Sequence, residues 1–97
     1  MSEVLNPVAS SFESGATLTH ESAKAALTAG LQRIAAGANC VDCAPLARFD
    51  SSALAVLLAW ERAAQARGIK FEIVNLPAGL ASLAQAYGVE TLLCRPA

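Results

Sequence analysis

The sequence predicts an α/β domain in which strands and helices alternate along the chain. Segments with strand-like composition alternate with segments whose apolar residues recur at helical spacing, and the connections between them are short. Hydrophobic residues make up 55% of the 97 residues, but 22 residues are alanine, so the larger apolar side chains suffice for one core. We therefore expect a single domain over residues 12–94, preceded by a lead or edge strand at residues 1–11, with the later strands parallel.

The first third of the chain predicts a short strand followed by a helix. Residues 12–16 have strand-like composition up to the break at Gly15. The helix is predicted over residues 20–36, with Thr19 as its N-cap and Glu21 in its first turn, near the positive end of the helix dipole. Gly30 falls on the apolar face, where it lets a neighbouring element approach closely, and Gly37 ends the helix. The apolar face consists of Ala23, Leu27, Leu31 and Ile34.

The middle of the chain predicts a second strand and then the longest helix. Residues 39–44 form the strand, which Pro45 ends. The helix runs over residues 53–67, without glycine or proline, until Gly68. It follows three polar residues that can each cap a helix, namely Asp50, Ser51 and Ser52.

The C-terminal third predicts a third strand and a third helix. Residues 69–76 alternate and then become apolar, which is typical of a strand that is buried on at least one face. Pro77 suits the first turn of a helix that ends at Gly88, and residues 91–93 predict a last short strand. The apolar positions of this helix are Leu80, Leu83, Ala84 and Tyr87.

A helical wheel divides the longest helix into two faces. The sheet-facing positions are Val56, Leu57, Trp60, Ala63 and Ala64. The opposite face contains Glu61, Arg62 and Gln65, together with Leu54 and Leu58. These two leucines lie in the first two turns beside Ser51 and have two interpretations. Single exposed leucines are common and need no function, but a small apolar patch beside a polar loop also suits the docking of another protein.

Charge and hydropathy exclude several classes of function. The formal net charge is -1 and the seven Lys and Arg residues are dispersed, so we expect no binding of nucleic acid or anionic lipid through charge. The longest apolar run, residues 53–60, is far shorter than the roughly 20 residues of a membrane-spanning helix. Because the N-terminus does not resemble a secretory signal, we expect a cytoplasmic protein without membrane insertion.

The cysteines have two interpretations, one chemical and one structural. Cys40 and Cys43 have the spacing of a redox or zinc motif, but residues three apart on a strand point to opposite faces, roughly 10 Å apart. A zinc site would also need the distant Cys94 and His20. We therefore expect three small apolar side chains in a reducing compartment, and neither a metal nor a cofactor.

No arrangement of residues predicts catalysis. The six glycines are dispersed, which leaves no phosphate-binding loop, and no carboxylate pair can be argued from the spacing. Trp60 and Tyr87 are interpreted as core anchors. The serines at positions 51 and 52 lack a nucleophile motif and a nearby histidine in the sequence, so capping explains them. Their place at a helix N-terminus would also stabilise a phosphate, which makes regulation by phosphorylation a second interpretation.

Two segments resemble a known family. Residues 40–58, C-V-D-C-A-P-L-A-R-F-D-S-S-A-L-A-V-L-L, are similar to the signature of STAS domains, which occur in sulfate-transporter tails and anti-sigma-factor antagonists. Residues 83–89, L-A-Q-A-Y-G-V, resemble the last helix of the MlaB-like branch. The resemblance covers residues 12–94 and implies a mixed sheet of four to five strands with helices mainly on one face.

The resemblance to the MlaB-like branch implies a non-enzymatic subunit. Such proteins bind an MlaF-like ATPase of an inner-membrane ABC transporter that moves phospholipid and maintains outer-membrane lipid asymmetry. The resemblance places Ser51 at the hydroxyl position of the ATPase interface, with Asp50 as the acidic residue common to both branches. Together with the wheel, it predicts a partner-binding surface of Asp50, Ser51, Ser52, Leu54, Leu58 and Glu61.

The antagonist branch implies a different partner. Ser52 takes the position of the serine that is phosphorylated in sporulation-type antagonists, so an anti-sigma kinase is the alternative partner and Ser52 or Ser51 the modified residue. Those proteins continue D-S-S/T-G, whereas this chain has Ala53, which narrows the available loop conformations.

Overall fold

The computed structural model of the chain describes residues 11–89. It contains three helices and five short strands over that range. In chain order they are β1 (Ser11–Glu13), β2 (Thr17–Leu18), α1 (Ala23–Ala35), β3 (Cys40–Asp42), β4 (Arg48–Phe49), α2 (Ser51–Ala66), β5 (Glu72–Val74) and α3 (Ala78–Ala86). The strand predicted at residues 91–93 and nearly all of the lead at residues 1–11 lie outside the described residues. No helix of residues 11–89 is long and apolar enough to cross a membrane.

The described strands pair in parallel throughout. β1, β3 and β5 form one sheet in that order, with Phe12 opposite Val41 and Val41 opposite Ile73. β2 and β4 form a second, two-stranded sheet. The prediction of parallel strands is confirmed, whereas a mixed sheet of four to five strands is not seen in residues 11–89. The strands β2 and β4 were missed because two residues are too short to show an alternating pattern.

The helices pack against one another and against the central sheet. Both crossovers, from β1 through α1 to β3 and from β3 through α2 to β5, step in the same direction across the sheet. Since such crossovers are nearly always right-handed, they place α1 and α2 on one face. α2 also packs against α3, and the ring of Phe12 on β1 meets the indole of Trp60 on α2 edge to face, with ring centroids 5.2 Å apart.

The core centres on Trp60, of which only 1% is exposed. Its indole Nε1 donates a hydrogen bond to the carbonyl oxygen of Leu27 on α1, at 3.2 Å. A Cβ atom on Gly30 would overlap the indole ring, so the predicted close approach at Gly30 is confirmed. The predicted burial of Leu31 is wrong, because the buried face of α1 is centred on Gly30 and Ile34 and leaves Leu31 exposed.

The N-terminus of α1 differs from the prediction, whereas its C-terminus agrees with it. The helix begins at Ala23 after Ser22 rather than at residue 20 after Thr19, and it has no acidic residue in its first turn. Thr19 instead forms a turn, in which the Ser22 backbone N–H donates to the Thr19 carbonyl and the Ser22 hydroxyl accepts from the Thr19 N–H. At the other terminus Gly37 has a φ of 106°, as predicted for a glycine that ends the helix.

The last helix confirms its predicted range but not all of its predicted face. α3 follows Pro77 and ends before Gly88, and Leu80 and Ala84 are fully buried. The interpretation of Tyr87 as a core anchor is wrong, because 60% of this residue is exposed. Tyr87 is the C-cap of α3, so the chain leaves the helix there instead of continuing along the core.

Candidate functional site

The candidate site lies at the N-terminus of α2, where β4 ends. The pairing of Leu18 with Phe49 in the two-stranded sheet brings the turn after β2 beside the start of α2. The backbone N–H of Asp50 donates to the carbonyl oxygen of Leu18 at 3.3 Å, which continues this pairing by one residue. The small sheet therefore positions two loops that are thirty residues apart in sequence.

Asp50 is the N-cap of α2. Its backbone is extended, and its Oδ1 accepts a hydrogen bond of 2.8 Å from the Ser52 N–H, which would otherwise have no partner within the helix. Its Oδ2 accepts from the backbone N–H of His20 at 3.1 Å and lies 3.3 Å from the His20 Nδ1. The N–H of His20, followed by that of Ser52, lowers the pKa of the Asp50 carboxyl. The hydrogen bonds of this loop therefore favour the ionised form of the Asp50 side chain.

The side chains around this cap are accessible. The Asp50 side chain is 40% exposed and the His20 side chain 75%. Ser51 is exposed and Ser52 is half-buried. The structure thus brings together three predicted site residues, Asp50, Ser51 and Ser52, and adds His20. Sequence reasoning missed His20 because the strand that places it, β2, has only two residues.

The first turn of α3 also lies against the residue before the cap. Gly79, in the first turn of α3, faces Phe49, and a Cβ atom at Gly79 would lie 3.2 Å from the Phe49 Cζ. Phe49 is partly buried and packs against the core. Phe49 therefore contacts β2 on one side and α3 on another. These contacts limit the movement of the neighbouring cap residue, Asp50.

Two of the residues predicted for the partner-binding surface are buried. Leu54 is 3% exposed and Glu61 is 6% exposed, so the expectation that they lie on an outward face is wrong. Leu58 is half-buried and packs against the core. The wheel assumed one buried side, but α2 packs against both α1 and α3, which widens its buried arc.

The face of α2 that remains accessible is shifted from the predicted one. Four residues at helical spacing, Ser51, Ala55, Leu58 and Arg62, define what we call the α2 outer stripe. Three of them are exposed and Leu58 is half-buried. The stripe begins at the Asp50 cap, so the polar loop and the helix face form one continuous surface.

Cys40 and Cys43, the cysteines among the described residues, have raised pKa values. Burial is the main cause for Cys43, whose thiol has a pKa of about 11, and Cys43 is fully buried. The pKa of Cys40, which is half-buried on β3, is raised mainly by burial. The negative charges of Glu72 and Asp42 raise it further. Both thiols are free. Within the described part of the chain no three His, Cys, Asp or Glu side chains are grouped so as to hold a metal ion.

A family model described as "Mlab, STAS domain" matches residues 14–94. This range includes every residue of the α2 cap and of the α2 outer stripe. No curated protein and no solved structure matches the chain significantly.

Proposed function

We propose, because this chain belongs to the MlaB-like STAS family, that it is a non-catalytic subunit of a phospholipid-transporting ABC complex. In this proposal the protein is cytoplasmic and peripheral to the inner membrane. It binds the transporter's ATPase subunit, supports its activity and so contributes to outer-membrane lipid asymmetry. The family match over residues 14–94 supports the MlaB-like branch.

The observation that carries the proposal is the exposed surface that begins at Ser51. Seven of the sixteen residues of α2 are buried, yet its N-terminus and outer stripe are accessible. Ser51 takes the hydroxyl position of the ATPase interface in the MlaB-like branch. It stands at one end of a helix face along which a partner can pack.

The composition of the stripe suits contact with another protein. Ala55, at its centre, has a small side chain that lets a partner approach the α2 backbone closely. Leu58 offers apolar area beside it, and the Asp50 cap and Arg62 supply polar groups at the two ends. An apolar centre with a polar rim is typical of protein interfaces.

The test is a binding measurement with a purified MlaF-like ATPase subunit from the same organism. The variant Ala55→Arg places a long cation at the centre of the stripe without disturbing the helix, because arginine is a good helix former. We expect it to weaken binding by about tenfold or more, as for a central interface position. Ala55 is a better probe than Leu58, since Leu58 also packs against the core.

The matched control is Ala25→Arg on α1, which makes the same change at an exposed alanine of another helix. Both variants should unfold at the wild-type urea concentration. Calorimetry with purified subunits measures affinity, and ATP hydrolysis by the transporter measures support of its activity. Equal binding by wild type and Ala55→Arg would refute the proposal that the α2 outer stripe is the binding surface. Absence of binding by the wild type would refute the proposal that the ATPase subunit is the partner.

The second candidate function is an antagonist that an anti-sigma kinase phosphorylates. The exposure of Ser51 favours it, because a kinase must reach the hydroxyl. Ser52, the position modified in sporulation-type antagonists, is half-buried and its N–H is held by Asp50. Incubation with candidate kinases and mass spectrometry would support this function if Ser51 or Ser52 became phosphorylated. The single variants Ser51→Ala and Ser52→Ala would identify the site.

A further inference from the structure

The α2 outer stripe and the Asp50 cap carry opposite charges at the two ends of one surface. The carboxylate of Asp50, whose side chain is 40% exposed, lies at the N-terminal end. The guanidinium of Arg62, which is exposed, lies at the other end. At a rise of about 1.5 Å per residue, the Cα atoms of these two residues lie about 18 Å apart. Ala55 and Leu58 lie between them, so the surface has an uncharged centre between a negative and a positive end.

The carboxylate of Asp50 is held in a fixed direction and still has room for another donor. Its Oδ1 accepts the Ser52 N–H at 2.8 Å, and its Oδ2 accepts the His20 N–H at 3.1 Å and lies 3.3 Å from the His20 Nδ1. A carboxylate can accept about four hydrogen bonds, and residues 11–89 supply three donors at most. Because the backbone already orients both oxygens, a partner that binds here loses little entropy in ordering the side chain.

The positive charge of Arg62 has no counterpart within the described part of the chain. Residues 11–89 show neither an ion pair nor a hydrogen bond of its side chain. The positions three and four residues away, where side chains of one helix can pair, are all uncharged. They are Leu58, Ala59, Gln65 and Ala66.

The helix dipole does not account for Arg62 either. A cation stabilises a helix when it lies in the last turn, near the negative end of the dipole, and the last turn of α2 contains no basic residue. Arginine is also permanently charged and presents a planar set of donors that matches a carboxylate. The guanidinium is therefore available for a carboxylate on another molecule.

We propose that the partner presents a cationic side chain opposite Asp50 and a carboxylate opposite Arg62, on either side of an apolar patch that covers Ala55 and Leu58. This pattern of charges fixes the direction in which the partner packs along α2, because the reversed direction would bring like charges together. That the partner is the ATPase subunit rests on the function proposed above.

The first test measures the affinity for the purified MlaF-like ATPase subunit under conditions in which every variant is folded. Arg62→Gln removes the positive charge and should weaken binding about two- to fivefold, the range of one exposed ion pair. Arg62→Glu brings two negative charges together and should weaken binding about tenfold or more. Asp50→Asn removes the other charge, keeps the hydrogen bond to Ser52, and should weaken binding about two- to fivefold.

The matched control is Arg33→Glu, which makes the same change in net charge on α1 and should leave the affinity unchanged. A loss as large as that of Arg62→Glu would mean that net charge determines binding, which would overturn the proposal. Raising the salt concentration from about 0.05 M to about 0.5 M should weaken wild-type binding, because salt screens exposed charges. The double variant Asp50→Asn/Arg62→Gln should depend on salt much less.

The second test identifies the group that faces position 62. Arg62→Lys keeps the positive charge and supplies a primary amine, which a carbodiimide joins to a carboxylate in direct contact with it. We expect mass spectrometry of the cross-linked complex to find position 62 joined to an Asp or Glu of the ATPase subunit. The matched variant Arg33→Lys should form no such link. If Arg62→Lys binds like the wild type and links to no carboxylate of the ATPase subunit, the proposal is overturned.

The outcomes separate this inference from the proposed function. If Ala55→Arg loses binding while the variants of Arg62 bind like the wild type, the α2 outer stripe remains the binding surface and the charge pattern is refuted. If Arg62→Glu binds more tightly than the wild type, the partner presents a cation at this end and the proposed direction of packing is wrong. If the wild type does not bind the ATPase subunit, the proposed function fails and this inference fails with it.

Discussion

At position 30 the backbone of α1 lies directly against the indole of Trp60. Alanine normally stabilises a helix interior by about 1 kcal/mol over glycine. Here its Cβ would overlap three atoms of a ring that is itself buried, and overpacking of this kind costs about 1–3 kcal/mol. We therefore predict that Gly30→Ala lowers the free energy of unfolding, as measured by urea denaturation.

The steric cause has its own control. In a Trp60→Leu background the ring is gone, so Gly30→Ala should become neutral or stabilising relative to that background. The same loss in both backgrounds would show that the overlap with the indole is not the reason.

The capping carboxylate Asp50 makes stability depend on pH in the acid range. The pKa of the Asp50 carboxyl is lowered in the folded state from the ordinary 3.8. The contribution of Asp50 to the free energy of unfolding is therefore complete above pH 3.8, and it is lost as the pH falls through the folded-state pKa. Asparagine also caps helices well, so Asp50→Asn removes the charge and keeps the hydrogen bond to Ser52.

We predict that Asp50→Asn reduces the free energy of unfolding at pH 7, and that the gap to the wild type narrows as the pH falls below 3.8. Urea unfolding curves at several pH values measure it. Asp42 also has a lowered pKa, through hydrogen bonds from Asn75 and Ala44, so it titrates in the same direction in both proteins. A gap that stays constant to pH 2 would contradict the assignment to Asp50.

On the scale of an element, α2 offers a test in two consecutive residues. Leu54 is 3% exposed and belongs to the core, whereas Ala55 is exposed. We predict that Leu54→Ala lowers the free energy of unfolding by about 2–5 kcal/mol. Ala55→Lys should change it by about 0.5 kcal/mol or less. Equal effects of the two substitutions would contradict the observed rotation of the helix.

The helices show what periodicity can and cannot predict. It predicted the ranges of α2 and α3 well, because Gly68 and Gly88 end them and Asp50 and Pro77 precede them. Periodicity predicts the buried faces of the helices less well, because a helical wheel identifies one apolar direction and contains no information on how many neighbours pack against the helix. Periodicity therefore predicts Leu54 and Glu61 outside and Leu31 inside, whereas in the structure Leu54 and Glu61 are buried and Leu31 is exposed.

For the whole molecule, alternation of the elements predicted the α/β architecture and the parallel pairing, but it could not predict the second sheet. The pairing of β2 with β4 joins residues 17–18 to residues 48–49, and no local pattern in two-residue strands reports such a contact. The candidate site depends on that pairing. Asp50, Ser51 and Ser52 could be found from capping preferences, whereas His20 becomes part of the site only through the tertiary structure.

The fold as a whole also protects one thiol. Cys43 lies at the end of β3, is fully buried, and has a pKa of about 11 compared with an ordinary 9.0. At pH 8 such a pKa leaves about a hundredfold less of the reactive thiolate than an ordinary cysteine has. A labelling reagent therefore reaches a reactive Cys43 mainly when the domain opens.

We predict that, in a Cys40→Ser/Cys94→Ser variant, the labelling of Cys43 at pH 8 is at least about a hundredfold slower than in the denatured chain. Its rate should rise with urea in parallel with global unfolding measured by Trp60 fluorescence, because Trp60 and Cys43 belong to one core. The variant that retains only Cys40 should react faster, since Cys40 is half-buried. Rapid labelling of Cys43 without urea would mean that the end of β3 opens independently of the core. It would also revive Cys40 and Cys43 as a reactive pair.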